Sequence, residues 1–187
     1  LRDLFEGLIM EDPSGRYIPG AAESWVLSED AKTYVFTMRE NGKWSNGDDV
    51  TADDFVYGLR RSVDPSTLSN YSSMLYPIKN ARDIVLGIKD PETLGVRSEG
   101  PKTLIIELDE PTPYFLSLLT HSTTYAAHRP TVEEFGAQFT RPGNLVGNGA
   151  FRLQEWRVQS HIKLVRNTGY WDNKNTTLEE VYYYPLD

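Results

Sequence analysis

The hydrophobic residues of this chain follow two different periods, and these periods predict where strands and helices lie. In residues 33–39 (TYVFTMR), aromatic or apolar side chains occupy every second position from Tyr34 to Met38. This alternation is typical of a strand with one buried face. Strands are also predicted at residues 102–108, 151–156, 161–166 and 180–184.

A helical period replaces the alternation at Thr51. Apolar residues from Phe55 to Val63 recur on one helix face, and Thr51 stands three residues before Asp54, as in a capping box. The dipeptide Asp64-Pro65 is expected to end this helix, because proline disfavours a helical residue before it. Shorter helices are predicted at residues 2–10, 78–88, 114–119 and 131–139, and a loop is predicted at residues 19–25.

The order of these elements bears on the fold class. Strands and helices follow one another irregularly, which predicts an α+β or mixed α/β fold. Residues 120–130 (THSTTYAAHRP) have little periodicity and many small side chains. We predict that they form the crossover between two lobes.

Composition and charge narrow the function classes. The 187 residues carry a formal net charge of −8, which argues against nucleic-acid binding because phosphate contacts require a basic surface. No stretch reaches the ~18 apolar residues of a membrane span. The absence of cysteine excludes disulfides, thiolate nucleophiles and cysteine-ligated zinc.

An acidic stretch at residues 46–54 is the first candidate for chemistry. A calcium-binding loop requires an oxygen ligand at its fifth position and glycine at its sixth, but counting from Asn46 these are Val50 and Thr51. Asp53 and Asp54 are explained by the helix dipole, which favours carboxylates in a first turn. The 27 acidic residues still leave a carboxylate-based hydrolase open as an alternative.

Histidine and nucleophile patterns indicate binding and not catalysis. His121, His128 and His161 form no HExxH pattern, and the chain has no GxSxG, P-loop or GxGxxG stretch. We therefore predict no catalytic residue, no metal site and no cofactor, and we place His121 in the polar lining of a cleft. The 11 tyrosines favour a binder of small molecules or peptides, since their rings combine an apolar face with a hydroxyl.

Five ordered stretches resemble one protein family. Residues 22–61 contain the lead-in AESW, the strand TYVFTMR, the turn GKWSNG and the helix start TADDFV. The pattern continues in RDLFEGL, EPTPYFLSLL, NLVGNGAFRLQEW and RNTGYWDNKNT. Over nearly its whole length the chain resembles the family 5 extracellular solute-binding proteins, and it is most similar to the oligopeptide-binding branch, which includes murein-peptide receptors.

This resemblance implies part of a two-lobed periplasmic-binding-protein type II architecture. Residues 1–127 would form the small accessory domain of the family, with the start of lobe 1 at its N-terminal edge. Residues 128–187 would form part of lobe 1 of the ligand cleft, and the second large lobe would lie outside this chain. The sequence is thus expected to be an N-terminal-region fragment that does not bind ligand by itself.

The resemblance also implies a function. The protein would be the substrate-binding component of an ABC importer and not an enzyme, would lie in the periplasm or be a cell-surface lipoprotein, and would deliver short peptides to permease subunits in the membrane. Tyr71 stands where a tyrosine of that branch reaches the peptide, and His121 and Asn148 are expected near the cleft. A dipeptide, nickel chelate, haem or murein-peptide cargo is an alternative, as is a signalling or chaperone module that has lost uptake.

Overall fold

A computed structural model describes residues 1–185, which separate into two compact units. The first unit comprises Leu1–Phe5, Asn41–Val50 and residues 128–185, and the second unit comprises Glu6–Glu40 and Thr51–Ala127. The chain changes unit for the last time after Ala127, within residues 120–130. The domains expected at residues 1–127 and 128–187 stay a prediction, and the last two residues of the latter lie outside the described part.

The second unit is built on a four-stranded antiparallel sheet and one long helix. Its strands and helices, in chain order, are β1 (Ile9–Glu11), β2 (Tyr17–Pro19), β3 (Ala22–Leu27), β4 (Thr33–Met38), α1 (Ala52–Val63), α2 (Ala81–Val85), β5 (Val96–Ser98), β6 (Thr103–Glu107) and α3 (Phe115–Leu119). The sheet has the order β3-β4-β6-β5, and β1 pairs with β2 in a separate ribbon. The helix α1 contacts β5 and β6.

The core of the second unit lies between this sheet and its helices. Tyr34, Phe36 and Met38 are buried, as the alternation in residues 33–39 predicts, and Phe55 and Leu59 of α1 are fully buried. Tyr34 and Phe36 stack with their ring centroids 6.1 Å apart. The predicted strands at residues 33–39 and 102–108 are confirmed as β4 and β6.

The helix α1 begins with the predicted capping box. The Thr51 hydroxyl accepts the N–H of Asp54 at 3.4 Å, and the Asp54 carboxylate accepts the N–H of Thr51 at 2.8 Å. Asp53 and Asp54 lie in the first turn, and two arginines lie in the last turn. Charges at both ends therefore complement the helix dipole.

The helix predicted at residues 2–10 does not form. The N–H of Gly20 bonds to the carbonyl of Leu8 at 3.1 Å, the N–H of Ala21 bonds to that of Gly7 at 2.9 Å, and β1 begins at Ile9. Leu4 belongs to the first unit and Leu8 to the second. The apolar residues that suggested one helix face therefore fill two separate cores, and pairing with distant residues overrides the local period.

Two further boundaries in the second unit differ from the predictions. The loop predicted at residues 19–25 becomes strand β3 from Ala22 onward. The helix predicted at residues 78–88 shrinks to α2, because Asn80 before it and Gly87 after it adopt left-handed backbone angles, with φ of 68° and 73°. The strand β5 was not predicted at all.

The first unit combines a short helix with a three-stranded antiparallel sheet. Its elements are α4 (Arg129–Phe135), β7 (Phe151–Arg157), β8 (His161–Arg166) and β9 (Glu180–Tyr183), and the sheet has the order β7-β8-β9. All three predicted strands are confirmed within one residue. The helix α4 starts two residues earlier than predicted and ends before residue 139, because Gly136 has a φ of 51°.

Mixed helix and strand in both units confirms the predicted mixed α/β fold class. In the first unit, Leu4 packs with Phe151 and Leu164 in a small core. The N–H of Gly149 bonds to the carbonyl of Leu4 at 3.0 Å. A Cβ on Gly149 would lie 2.6 Å from the carbonyl oxygen of Asp3, so the close approach of these two backbones requires glycine.

Candidate functional site

Tyr71 lies in the segment between α1 and α2, immediately before the 3₁₀ turn Ser72–Leu75, the second of two such turns in that segment. Its carbonyl accepts the N–H of Met74 at 3.0 Å. Leu75 at the end of this turn is completely buried, whereas Tyr71 is 58% exposed. The loop is therefore anchored by its leucine and presents its tyrosine to solvent.

His121 follows α3 and caps the next 3₁₀ turn, Ser122–Thr124. The backbone N–H of Thr123 donates to Nδ1 of His121 at 3.2 Å, and the Thr123 hydroxyl lies 2.9 Å from the same nitrogen. The imidazole thus takes the place of the side-chain oxygen that usually caps a helical turn. This fixes the orientation of the ring.

The structure brings Tyr71 and His121 together within the second unit. Their ring centroids are 5.2 Å apart and their planes are inclined by 55°. This is a favourable tilted arrangement for two aromatic rings. Two of the three residues predicted to bind ligand therefore lie together, with Tyr71 exposed and His121 half-buried, and we call them the Tyr71–His121 pair.

The helix α1 positions the segment that carries His121. The Ser62 hydroxyl donates to the carbonyl of Thr123 at 2.8 Å. A Cβ on Gly58 would lie 2.5 Å from the carbonyl oxygen of Tyr125, so the chain runs directly over this glycine of α1. Residues 121–127 are thus held along a rigid helix, which is a precise support for a binding group.

Sequence reasoning missed Thr123, which holds the ring of His121. The signal was present in the order His-Ser-Thr-Thr, where a capping side chain precedes three small hydroxyl residues. Imidazole is not among the usual capping groups, so no sequence rule predicts this cap.

Asn148 lies in the first unit and is 3% exposed. It stands between Gly147 and Gly149, whose backbones bond to Ser45 and Leu4. Asn148 therefore belongs to a different unit from the Tyr71–His121 pair. Its expected position near the ligand cleft stays a prediction.

The acidic stretch that first suggested chemistry is divided between the two units. Asp53 and Asp54 start α1 in the second unit, and Asp48 lies in the first unit, where its carboxylate is 2.9 Å from Nε2 of His128. Hydrogen bonds from the Asn46 amide and from His128 lower the pKa of Asp48. Within residues 1–185, no group of three or more acidic or histidine side chains is arranged to hold a metal ion.

His161 is not among the residues predicted to bind ligand, and it belongs to a second aromatic group, in the first unit. Its ring centroid is 5.8 Å from that of Tyr182 and 6.0 Å from that of Tyr184. The half-buried position of His161 agrees with its predicted place in an alternating strand.

Comparison with known proteins decides the family. The sequence model for the bacterial extracellular solute-binding proteins, family 5 Middle, matches residues 16–187. The chain belongs to this family. The assignment confirms the resemblance drawn from the ordered motifs.

Relatives within family 5 are similar over the whole chain. The periplasmic oligopeptide-binding protein OppA of Salmonella typhimurium is 45% identical over 99% of this chain. The periplasmic murein peptide-binding protein MppA of Escherichia coli is 42% identical over 100% of it. This chain spans 34% and 35% of those two proteins, respectively, or about a third of their length.

The fold matches solved structures of family 5 equally well. The structure of Haemophilus influenzae OppA in complex with RPPGFSPFR superposes with a TM-score of 0.96 at 40% identity, and the match covers 99% of this chain and 36% of that one. The described part of the chain therefore has the family's fold. Among its helices, none is long and apolar enough to cross a membrane.

Proposed function

We propose that the full-length protein is the substrate-binding component of an ABC importer that captures short peptides. Membership of family 5 and the similarity to OppA and MppA support this function. Periplasmic location, or attachment to the cell surface as a lipoprotein, belongs to the same proposal, as does delivery of the peptide to permease subunits in the membrane.

The observation that carries the proposal is the Tyr71–His121 pair. Tyr71 is 58% exposed in a loop that is otherwise anchored by buried Leu75. An exposed aromatic ring with a second ring 5.2 Å away offers both an apolar surface and polar groups to a ligand. Such a surface suits a peptide, which presents side chains and backbone carbonyls together.

The proposed mechanism is binding without chemical change. Peptide backbone groups would be satisfied by hydrogen bonds, which gives affinity with little sequence preference. Closure of the two lobes would then bury the ligand and create the form that docks on the permease. No covalent bond is made or broken, so the hydrolase alternative predicts turnover where this proposal predicts none.

Tyr71, His121 and Asn148 are the proposed ligand contacts. We also propose that the 187 residues alone bind peptides poorly, because the chain spans only about a third of its relatives. Micromolar binding of a peptide to this chain in a calorimeter would contradict that part of the proposal.

Titration calorimetry of the full-length protein with short peptides tests the function. Tyr71→Ala should weaken binding about tenfold or more, as expected for a central aromatic contact. Tyr114→Ala is the matched control, since Tyr114 is 61% exposed in the same unit, and it should leave the affinity unchanged. Equal effects of both variants would remove Tyr71 from the site.

The cargo needs a separate measurement. Native mass spectrometry of the full-length protein, purified without added ligand, would show the mass of what it carries. A peptide supports the proposal, and a murein peptide would narrow it. Detection of a haem or nickel chelate would show that the cargo is not a peptide. Hydrolysis of added peptide would favour the alternative of a carboxylate-based hydrolase.

A further inference from the structure

The hydrogen bonds of His121 determine which of its ring nitrogens carries a proton. A backbone N–H can only donate, so the bond from the Thr123 N–H makes Nδ1 of His121 an acceptor without a proton. In a neutral imidazole the proton then resides on Nε2. The ring therefore offers one N–H donor at Nε2.

This donor has no hydrogen-bond partner in the part of the chain that the structure describes. Among residues 1–185, no protein group bonds to Nε2 of His121, and the bonds of the ring all involve Nδ1 and Thr123. The Tyr71 ring lies beside it with a centroid separation of 5.2 Å. One ligand can therefore place a hydrogen-bond acceptor at Nε2 of His121 and an adjoining apolar group against the Tyr71 ring.

We propose that His121 is a specificity-determining residue that donates its Nε2–H to a backbone carbonyl oxygen of the bound peptide, next to the Tyr71 ring. Thr123 is the positioning residue that holds the donor. A neutral N–H matches a neutral carbonyl, and every peptide has carbonyls, so the contact selects peptide backbone without selecting sequence. This inference rests on the proposed function.

Two substitutions separate the two nitrogens of His121. In His121→Asn the side-chain oxygen takes the place of Nδ1 and keeps the bond to the Thr123 N–H, because asparagine is a good cap. The Nε2–H donor is lost. In His121→Gln the longer amide reaches the position of Nε2 but leaves Nδ1 without a replacement, so the cap is lost.

The experiment measures peptide affinity by calorimetry and the amide exchange of Thr123 by mass spectrometry, both in the full-length protein. The inference predicts that His121→Asn weakens binding about three- to tenfold, as expected for one hydrogen bond, while Thr123 stays protected. His121→Gln should speed exchange at Thr123. Unchanged affinity in His121→Asn with weaker binding in His121→Gln would overturn it, because His121 would then be a cap alone.

Two further measurements decide the acceptor and the proton. Amidating the C-terminus of the peptide should leave the effect of His121→Asn unchanged, and disappearance of the effect would assign the contact to the terminal carboxylate against the proposal. Nitrogen-15 spectra of histidine-labelled protein should show Nδ1 of His121 unprotonated, and a proton on Nδ1 would overturn the inference. If wild-type protein binds no peptide, the proposed function and the peptide contact fail, while these spectra still decide the tautomer.

Discussion

Each of the two units of the chain is stabilised internally in a different way. The second unit contains most of the fully buried side chains, among them Phe36, Phe55 and Leu59. The first unit has a small core around Leu164 and relies more on polar and backbone contacts, such as the bond of the buried Asn167 amide to the carbonyl of Gly149 at 2.9 Å. Burial of apolar surface is spread over many residues, whereas a close backbone contact depends on a few.

This difference predicts where single changes act. In the second unit the largest losses should come from truncating a buried ring. In the first unit they should come from adding atoms between adjoining backbones. The candidate site belongs to the second unit, where α1 supports the segment of His121. An exposed binding group thus stands on a well-packed core, which keeps its geometry fixed.

Phe55→Ala should have the largest effect on stability. The side chain is fully buried, and its removal should cost about 3–5 kcal/mol through lost burial and the cavity that remains. Urea unfolding followed by circular dichroism measures this loss. Leu86→Ala is the control, since Leu86 is 61% exposed and its truncation should change stability by less than about 0.5 kcal/mol. Similar losses in both variants would remove the distinction between core and surface.

Gly149→Ala should produce the corresponding loss in the first unit. The new Cβ would lie 2.6 Å from the carbonyl oxygen of Asp3, and relieving that clash should cost about 1–3 kcal/mol. Thermal unfolding followed by tryptophan fluorescence detects it, because Trp44, Trp156 and Trp171 lie in the first unit. Gly169→Ala should be tolerated, since its nearest neighbour would be 3.5 Å away.

Some elements of the fold were predictable from the sequence and others were not, depending on whether their stabilising contacts are local or distant in the chain. The strand β4 and the helix α1 were predictable because the hydrophobic period of each, and the capping box of α1, lie within a short segment of the sequence. Leu4 and Leu8 misled the prediction, because their partners are distant in the chain and belong to different units. The strand β5 is too short to show a period.

The candidate site was predictable only in part. Tyr71 came from position within a family pattern, and His121 came from the same pattern and its polar surroundings. Their contact could not be predicted, because it depends on two loops that meet across α1. The tautomer of His121 depends on the hydrogen bond that its Nδ1 accepts from the backbone N–H of residue 123. The residue type at position 123 does not predict that bond.

Thr51→Ala should have a moderate effect in the second unit. It removes the hydroxyl that accepts the N–H of Asp54, and loss of such a cap costs about 1 kcal/mol. Urea unfolding of the second unit measures this cost. Thr51→Ser keeps the hydroxyl and should restore most of the stability. A loss as large as that of Phe55→Ala would show that the cap, and not the core, controls this unit.

Asp48→Asn should have the smallest effect and should depend on pH. Hydrogen bonds from the Asn46 amide and from His128 lower the pKa of Asp48 below its ordinary value of 3.8. The carboxylate therefore stabilises the fold above about pH 4, and this contribution is lost as the pH falls through the lowered pKa. Because the side chain is 60% exposed, solvent screening limits the contribution to less than about 1 kcal/mol.

The pH series for Asp48→Asn uses Trp44 as its reporter, since the ring centroid of Trp44 is 5.3 Å from that of His128. Wild type should be more stable than the variant at pH 7, and the difference should shrink toward pH 3. Asp30→Asn is the control in the second unit, because the pKa of Asp30 is also lowered, there by the Ser28 hydroxyl. If the difference in stability between wild type and Asp48→Asn were the same at all pH values, the effect of Asp48 would be assigned to packing. The first unit would then resemble the second in being stabilised mainly by packing.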